Sequence, residues 1–154
     1  MNTVVTPFWE LFLQPLLRRP KRVQLAALCY RKQDSQTQVL LITSRGTGRW
    51  ILPKGWPIDG TDSVGTALQE AWEEAGVRQG IADATALGTY TYQKNLATGW
   101  SVPVETIVYP VAVTEMQDKF PEASQRHREW FAPADAANLV NEPVLRQLLS
   151  SFAV

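Results

Sequence analysis

Three glutamates stand close together near the middle of the chain, with a spacing that suits metal binding. Glu73 lies three positions after Glu70, and Glu74 follows Glu73 directly, so on a helix the three side chains share an arc of roughly 100°. No Lys or Arg lies between Asp62 and Gly76 to balance them, and the helix dipole adds negative charge near its carboxyl end. A divalent cation would relieve this repulsion, and ligands that are all oxygens favour Mg²⁺ or Mn²⁺ over zinc. The alternative is a solvated acidic face without a ligand.

The composition excludes several other kinds of site. A length of 154 residues suits a single domain. One cysteine, Cys29, and one histidine, His127, cannot form an internal disulfide or a His- or Cys-rich zinc site, and the free thiol predicts a cytoplasmic protein. Fifteen basic and fifteen acidic residues leave no net charge, which argues against an extended nucleic-acid surface. No apolar run is long enough to predict a membrane span.

The elements around the glutamates predict a mixed α/β fold. We predict a helix over 62–75, because apolar residues recur at helical spacing and Gly76 suits the left-handed residue that ends a helix. Strand-type composition occurs in residues 23–30, 39–43, 50–52, 87–93, 102–114 and 129–131, with turns at 32–38 and 95–100. Two helices, 133–139 and 143–152, close the chain. The pattern therefore predicts a mixed sheet packed between helices.

The segment from Gly55 to Val77 resembles the Nudix box, whose pattern is G-x5-E-x7-R-E-U-x-E-E-x-G-U, where U is aliphatic. The matching residues are Gly55, Glu70, Ala71, Glu73, Glu74, Gly76 and Val77. Thr61 replaces the first Glu of the pattern and Gln69 replaces its Arg. In the family these two residues are thought to form an ion pair, so losing both leaves no orphaned charge and the scaffold can survive. Residues 50–55, 128–131 and 134–139 extend the similarity, over about 22–140, to the diphosphoinositol polyphosphate phosphohydrolase-like branch.

This resemblance implies a Nudix-type mixed β-sheet sandwiched between α-helices, formed by residues 21–154 after an apolar extension at 1–20. It also implies a Mg²⁺- or Mn²⁺-dependent pyrophosphohydrolase, in which water attacks phosphorus. Glu70 and Glu74 would bind metal, Glu73 would bind metal or activate water, and the carbonyl of Gly55 would add an oxygen ligand. Whether Glu70 or Glu73 is the general base stays open. The implied substrates are diphosphoinositol polyphosphates and diadenosine polyphosphates.

Basic residues near the box are candidates for binding substrate phosphates, since guanidinium groups match phosphate geometry and Lys offers a point charge. The candidates are Arg45, Arg49, Lys54 and Arg128. Taken singly, such a residue is more often a solvated side chain, although the clustering of Arg45, Arg49 and Lys54 around one loop favours a function, and for His127 we favour a structural role. Trp56 could stack on a base or cap the pocket. The downstream acid that often completes the metal site in this family has four candidates, Glu105, Glu115, Asp118 and Glu122.

Two other functions compete with hydrolysis of a small polyphosphate. Thr61 and Gln69 suggest a Nudix-fold module that senses a nucleotide without cleaving it, although such a module has no need for three glutamates. An enzyme that trims the 5′ pyrophosphate of RNA is the other alternative, but zero net charge argues against nucleic acid as a partner. The apolar residues of the amino-terminal extension could pack on the sheet or form a homodimer interface.

Overall fold

The computed structural model describes residues 22–154, and these residues form one eight-stranded sheet with three helices. The predicted extension at residues 1–20 lies outside the described residues. In chain order the elements are β1 (Val23–Gln33), β2 (Gln36–Thr43), β3 (Trp50–Ile51), β4 (Lys54–Gly55), α1 (Ser63–Ala75), β5 (Val77–Ala82), β6 (Gly88–Asn95), β7 (Ser101–Met116), β8 (Arg128–Phe131), α2 (Pro133–Leu139) and α3 (Pro143–Ser150). None of these helices is long and apolar enough to cross a membrane.

Strand β1 is central, because it pairs with three other strands. It runs parallel to β7, with Val23 opposite Glu105, and antiparallel to β2 and β4. The sheet is therefore mixed, as predicted. Residues 24–29 of β1 are all buried, which requires a covering layer on each face of the sheet.

Helices supply both covering layers. Alternate residues of a strand point to opposite faces, so Leu25 and Ala27 pack towards α1, whereas Ala26 and Leu28 pack towards α2 and α3. Each face thus has its own apolar core. This arrangement confirms the predicted sheet between helices.

Helix α1 begins and ends at the residues that the sequence indicates. Asp62 caps its first turn by accepting a hydrogen bond from the amide of Gly65 at 2.7 Å. Gly76 ends it in the left-handed conformation, with φ of 71°. Ala67, Ala71 and Ala75 form its buried stripe, and these small side chains keep the helix close to the sheet.

Other boundaries differ from the predictions. The predicted turn at 32–38 is a two-residue loop, since Asp34 and Ser35 both have positive φ as in a type I′ turn and the strands continue to either side. Strands β4 and β5 were not predicted: β4 has only two residues, and β5 has only six, with polar Arg78 and Gln79 interrupting its apolar residues. The last helix, α3, ends at Ser150 instead of at residue 152.

Candidate active site

The close approach of α1 to β4 brings Glu70 against Gly55. A Cβ built on Gly55 would overlap the Glu70 carboxylate, so a larger residue would displace this flexible side chain from its present position. The carboxylate is half-buried, and burial raises its pKa to about 7, with repulsion from Glu74 and Glu73 adding to the effect. The structure thus brings together two of the residues predicted to bind metal.

Glu74 lies deeper, in a buried ion pair with Arg126. Its Oε1 accepts a hydrogen bond from Arg126 Nη2 at 2.9 Å, and its Oε2 accepts one from the amide of Lys54 at 3.2 Å. The Arg126 side chain is only 5% exposed and also donates to the carbonyl of Thr43. Burial raises the pKa of Glu74, and Arg126 opposes that rise. The positive charge that α1 lacks therefore comes from the loop before β8.

Glu73 points to a different neighbour. Its Oε1 accepts a hydrogen bond from Gln69 Nε2 at 2.9 Å, so the residue at the Arg position of the box contacts a box glutamate. Its carbonyl accepts a hydrogen bond from the amide of Glu122 at 3.0 Å. The three glutamates thus share one helix face but contact different partners.

Within residues 22–154, no three His, Cys, Asp or Glu side chains are already arranged to hold a metal ion. The donor set nevertheless fits a hard cation, since it consists of carboxylate oxygens and a glycine carbonyl with no nitrogen or sulfur. The Glu70 carboxylate already lies against Gly55, and the mutual repulsion of the glutamates would fall if a cation joined them. The residues predicted to bind metal are therefore compatible with Mg²⁺ or Mn²⁺.

A basic pocket of about 340 Å³ opens beside this helix. Five cationic side chains and one carboxylate are among the residues that line it: Arg45, Arg49, Lys54, Lys94, Arg126 and Glu74. Such an excess of positive charge favours a multiply charged anion. The pocket therefore places a local positive field next to the glutamates, although the chain has no net charge.

Three of the four basic residues predicted to bind phosphate meet in this pocket. Arg45 and Arg49 come from the loop after β2, which closes through a hydrogen bond from the amide of Ser44 to the carbonyl of Arg49 at 2.7 Å. Lys54 is partly buried, with its Nζ 4.9 Å from the centre of the Tyr92 ring. Burial lowers the pKa of Lys54 to about 8, and the charges of Glu74 and Glu142 oppose that fall.

Arg128, the fourth predicted residue, lies elsewhere. Its Nη1 donates to the carbonyls of Ala75 at 2.8 Å and Gln117 at 2.9 Å, and its Nη2 pairs with Asp118 at 2.7 Å. The guanidinium thus joins the last carbonyl of α1 to the segment that follows β7. The described residues that line the pocket do not include Arg128, so its placement gives the prediction of substrate binding no support.

The sequence did not predict two cations of the pocket, Lys94 and Arg126, and it did not decide among the four candidates for the downstream acid. Arg126 carried no distinguishing signal, but Lys94 follows Tyr90 and Tyr92 at the alternate spacing that puts side chains on one face of a strand. Among the four candidate downstream acids, Glu122 pairs with two cations that line the pocket: its Oε1 lies 3.1 Å from Arg45 Nη1 and 3.3 Å from Arg126 Nη2.

The order of these elements and the box on α1 match a known family. The model of the NUDIX domain matches residues 22–152. This chain belongs to the Nudix family. Diphosphoinositol polyphosphate phosphohydrolase 3-beta of Homo sapiens is 30% identical over 131 residues, which cover 82% of this chain and 75% of that protein. Diphosphoinositol polyphosphate phosphohydrolase 2 of Mus musculus is also 30% identical, and 68% of it is covered.

Solved structures show the same fold. The Ap4A hydrolase of C. elegans superposes with a TM-score of 0.62 at 20% identity, covering 84% of this Nudix chain and 94% of that one. The NUDIX domain of Shewanella oneidensis NrtR, complexed with ADP ribose, superposes with a TM-score of 0.62 at 22% identity, covering 95% and 96%. The predicted family and fold are confirmed, and so is the prediction of a hydrolase that acts on phosphorus-containing acid anhydrides.

Proposed function

We propose that this Nudix hydrolase cleaves a phosphoanhydride bond in a polyphosphate-rich small molecule, with Mg²⁺ or Mn²⁺ as cofactor. The observation that carries the proposal is the pocket with five cationic side chains beside the helix of glutamates. Relatives at 30% identity are named as diphosphoinositol polyphosphate phosphohydrolases, which supports that substrate class. The C. elegans neighbour is named as an Ap4A hydrolase, and diadenosine polyphosphates are therefore the second class to test.

Each group of residues has a separate task in this proposal. Glu70, Glu74 and the carbonyl of Gly55 hold the cation, which supplies charge neutralisation for the phosphoryl oxygens and a lower pKa for water. Arg45, Arg49 and Lys54 bind and orient the substrate phosphates. Glu73 or Glu70 accepts the proton of the attacking water, and both are on the solvent-accessible side of α1.

The general base is tested by neutral substitution. Glu73→Gln removes the carboxylate but keeps the side-chain shape, and we expect phosphate release to fall at least about a hundredfold if this residue takes the proton. Glu70→Gln is measured beside it. Lys119→Gln is a matched surface control on a residue with an exposed side chain, and it should leave turnover unchanged. Undiminished turnover in the Glu73 variant would remove its proposed role.

The substrate is tested with a panel of diphosphoinositol polyphosphates, diadenosine polyphosphates, ADP ribose and RNA with a 5′ pyrophosphate, each in Mg²⁺ and in Mn²⁺. We expect turnover with one of the first two classes and identification of the released products. Calorimetric binding of a nucleotide without any turnover would instead favour the non-hydrolysing sensor. Turnover of the RNA alone would favour the pyrophosphate-trimming enzyme.

Two further predictions concern the whole protein. A cytoplasmic location is supported by Cys29, which is a free and fully buried thiol in the described structure. A homodimer depends on the apolar residues of the amino-terminal extension, which lie outside the described residues. Comparing the mass in solution of the full chain with that of a chain lacking residues 1–17 tests it.

A further inference from the structure

Glu142 is a buried carboxylate behind the basic pocket, and helix packing does not account for it. It stands immediately before α3, yet its side chain makes no capping hydrogen bond to that helix. The side chain is 10% exposed, and within residues 22–154 its Oε2 is buried without a hydrogen-bond partner. Burying a carboxylate that is only partly paired is unfavourable, so its position needs another explanation.

Among residues 22–154, the cation that lies within 4 Å of this carboxylate is on the loop that precedes β3. Arg49 Nη1 lies 3.7 Å from Glu142 Oε1, and the Arg49 side chain, which lines the pocket, is 41% exposed. At that distance the two groups attract each other without forming a hydrogen bond. One end of the Arg49 side chain thus faces Glu142, while its donors remain available to a ligand in the pocket.

Arg49 gains from such a partner because most of the other charged side chains in the pocket repel it, and the one carboxylate among them, that of Glu74, is paired with Arg126. Lys54, Lys94 and Arg126 line the same pocket and carry the same sign of charge. Without a substrate, repulsion among these side chains favours rotamers in which an exposed arginine turns out to solvent. A fixed negative charge on the far side of Arg49 opposes that movement, and it does so without lining the pocket itself.

We infer that Glu142 is a positioning residue, whose carboxylate holds the guanidinium of Arg49 in the pocket where a substrate phosphate binds. The inference rests on the proposed function, since it requires the pocket to bind phosphate. By this inference the segment before α3 contributes to substrate affinity, although α3 lies on the face of the sheet opposite α1. The predicted consequence is a loss of phosphate affinity when Glu142 is neutralised, and no loss when Arg49 is already absent.

The test is a double-mutant cycle of Glu142→Gln and Arg49→Ala in the full chain, with inorganic tripolyphosphate and Mg²⁺ as the calorimetric probe. We expect Glu142→Gln to raise the dissociation constant about three- to fivefold, the range of a partly exposed ion pair. In the Arg49→Ala background the same change should have no further effect. A Glu142 that served only to anchor α3 would give equal losses in both backgrounds.

Thermal unfolding of each variant separates affinity from folding. If Glu142→Gln does not fold, Glu142→Asp replaces it in the cycle, because it keeps the charge but withdraws it from Arg49 by one methylene group. Equal dissociation constants for the wild type and the folded Glu142 variant would overturn the inference. A wild type that binds no tripolyphosphate would overturn the phosphate pocket itself, and thus the proposed function as well.

Discussion

Replacing Arg126 by methionine removes the buried cation that faces Glu74, and the structure indicates how large the effect should be. The guanidinium donates to Glu74 at 2.9 Å, to the carbonyl of Thr43 at 3.1 Å and to Glu122 at 3.3 Å. Its side chain is only 5% exposed, so solvent cannot substitute for these bonds. Removing one partner of a buried pair costs about 3–5 kcal/mol, since the other charge stays buried without compensation.

That loss should be visible as a lower melting temperature. For a chain of this size about 1 kcal/mol corresponds to roughly 2–4 °C, so Arg126→Met should melt about 6–20 °C below the wild type in the presence of a chelator. The matched control is Arg45→Met, because Arg45 also contacts Glu122 but its side chain is 60% exposed. We expect the control to lose no more than about 1 kcal/mol.

A second substitution tests whether the unpaired carboxylate of Glu74 causes this loss of stability. Adding Glu74→Gln to Arg126→Met removes the uncompensated carboxylate, so the double variant should be more stable than Arg126→Met alone. Denaturant unfolding with both substitutions measures this recovery. The reasoning is refuted if the double variant is no more stable than the single one, or if Arg45→Met is as destabilising as Arg126→Met.

Three further predictions concern the contacts of α1. Gly55→Ala should abolish most turnover, because its Cβ overlaps the Glu70 carboxylate, and a circular dichroism spectrum like that of the wild type would show that the fold remains. The pKa of Glu70 is raised from 4.5 to about 7, so between these pH values the folded state binds more protons than the unfolded state. The melting temperature in chelator should therefore fall as the pH rises from about 4.5 to 7. This fall should be smaller in Glu70→Gln. Arg128→Ala should lower the free energy of unfolding by about 1–3 kcal/mol, because it removes the hydrogen bonds to Ala75 and Gln117. The KM for the identified substrate should stay within about twofold of the wild-type value. A tenfold rise in KM would instead support the predicted role of Arg128 in substrate binding.

The predicted parts of the structure are those with local signals. Helix α1 was predicted closely because Asp62 and Gly76 mark its ends within the segment itself. Strand β5 was not, because half of its six residues are exposed without a regular alternation, and its pairing with β7 contains register irregularities that no local pattern encodes. Its position depends on β7, more than twenty residues later in the chain.

In the candidate site, too, the predicted residues are those with signals that are local in the sequence. Glu70, Glu73, Glu74 and Gly55 were found from spacing and from the resemblance, since the box is contiguous in sequence. The partner of Glu74 was not found, because Arg126 and Arg128 have the same chemistry and stand two residues apart, yet one lines the pocket and the other binds the end of α1. Only tertiary packing distinguishes them.

The parallel pairing of β1 with β7 has a consequence for synthesis of the protein. Val23 can pair with Glu105 only after the ribosome has made the residues between them, which takes roughly 4–16 s at about 5–20 residues per second. During that interval β1, of which six consecutive residues are buried in the fold, has one edge without its partner, and such edges invite association with other chains. We therefore expect β1 to be open to binding by other chains or by chaperones during synthesis, until β7 has emerged to cover this edge.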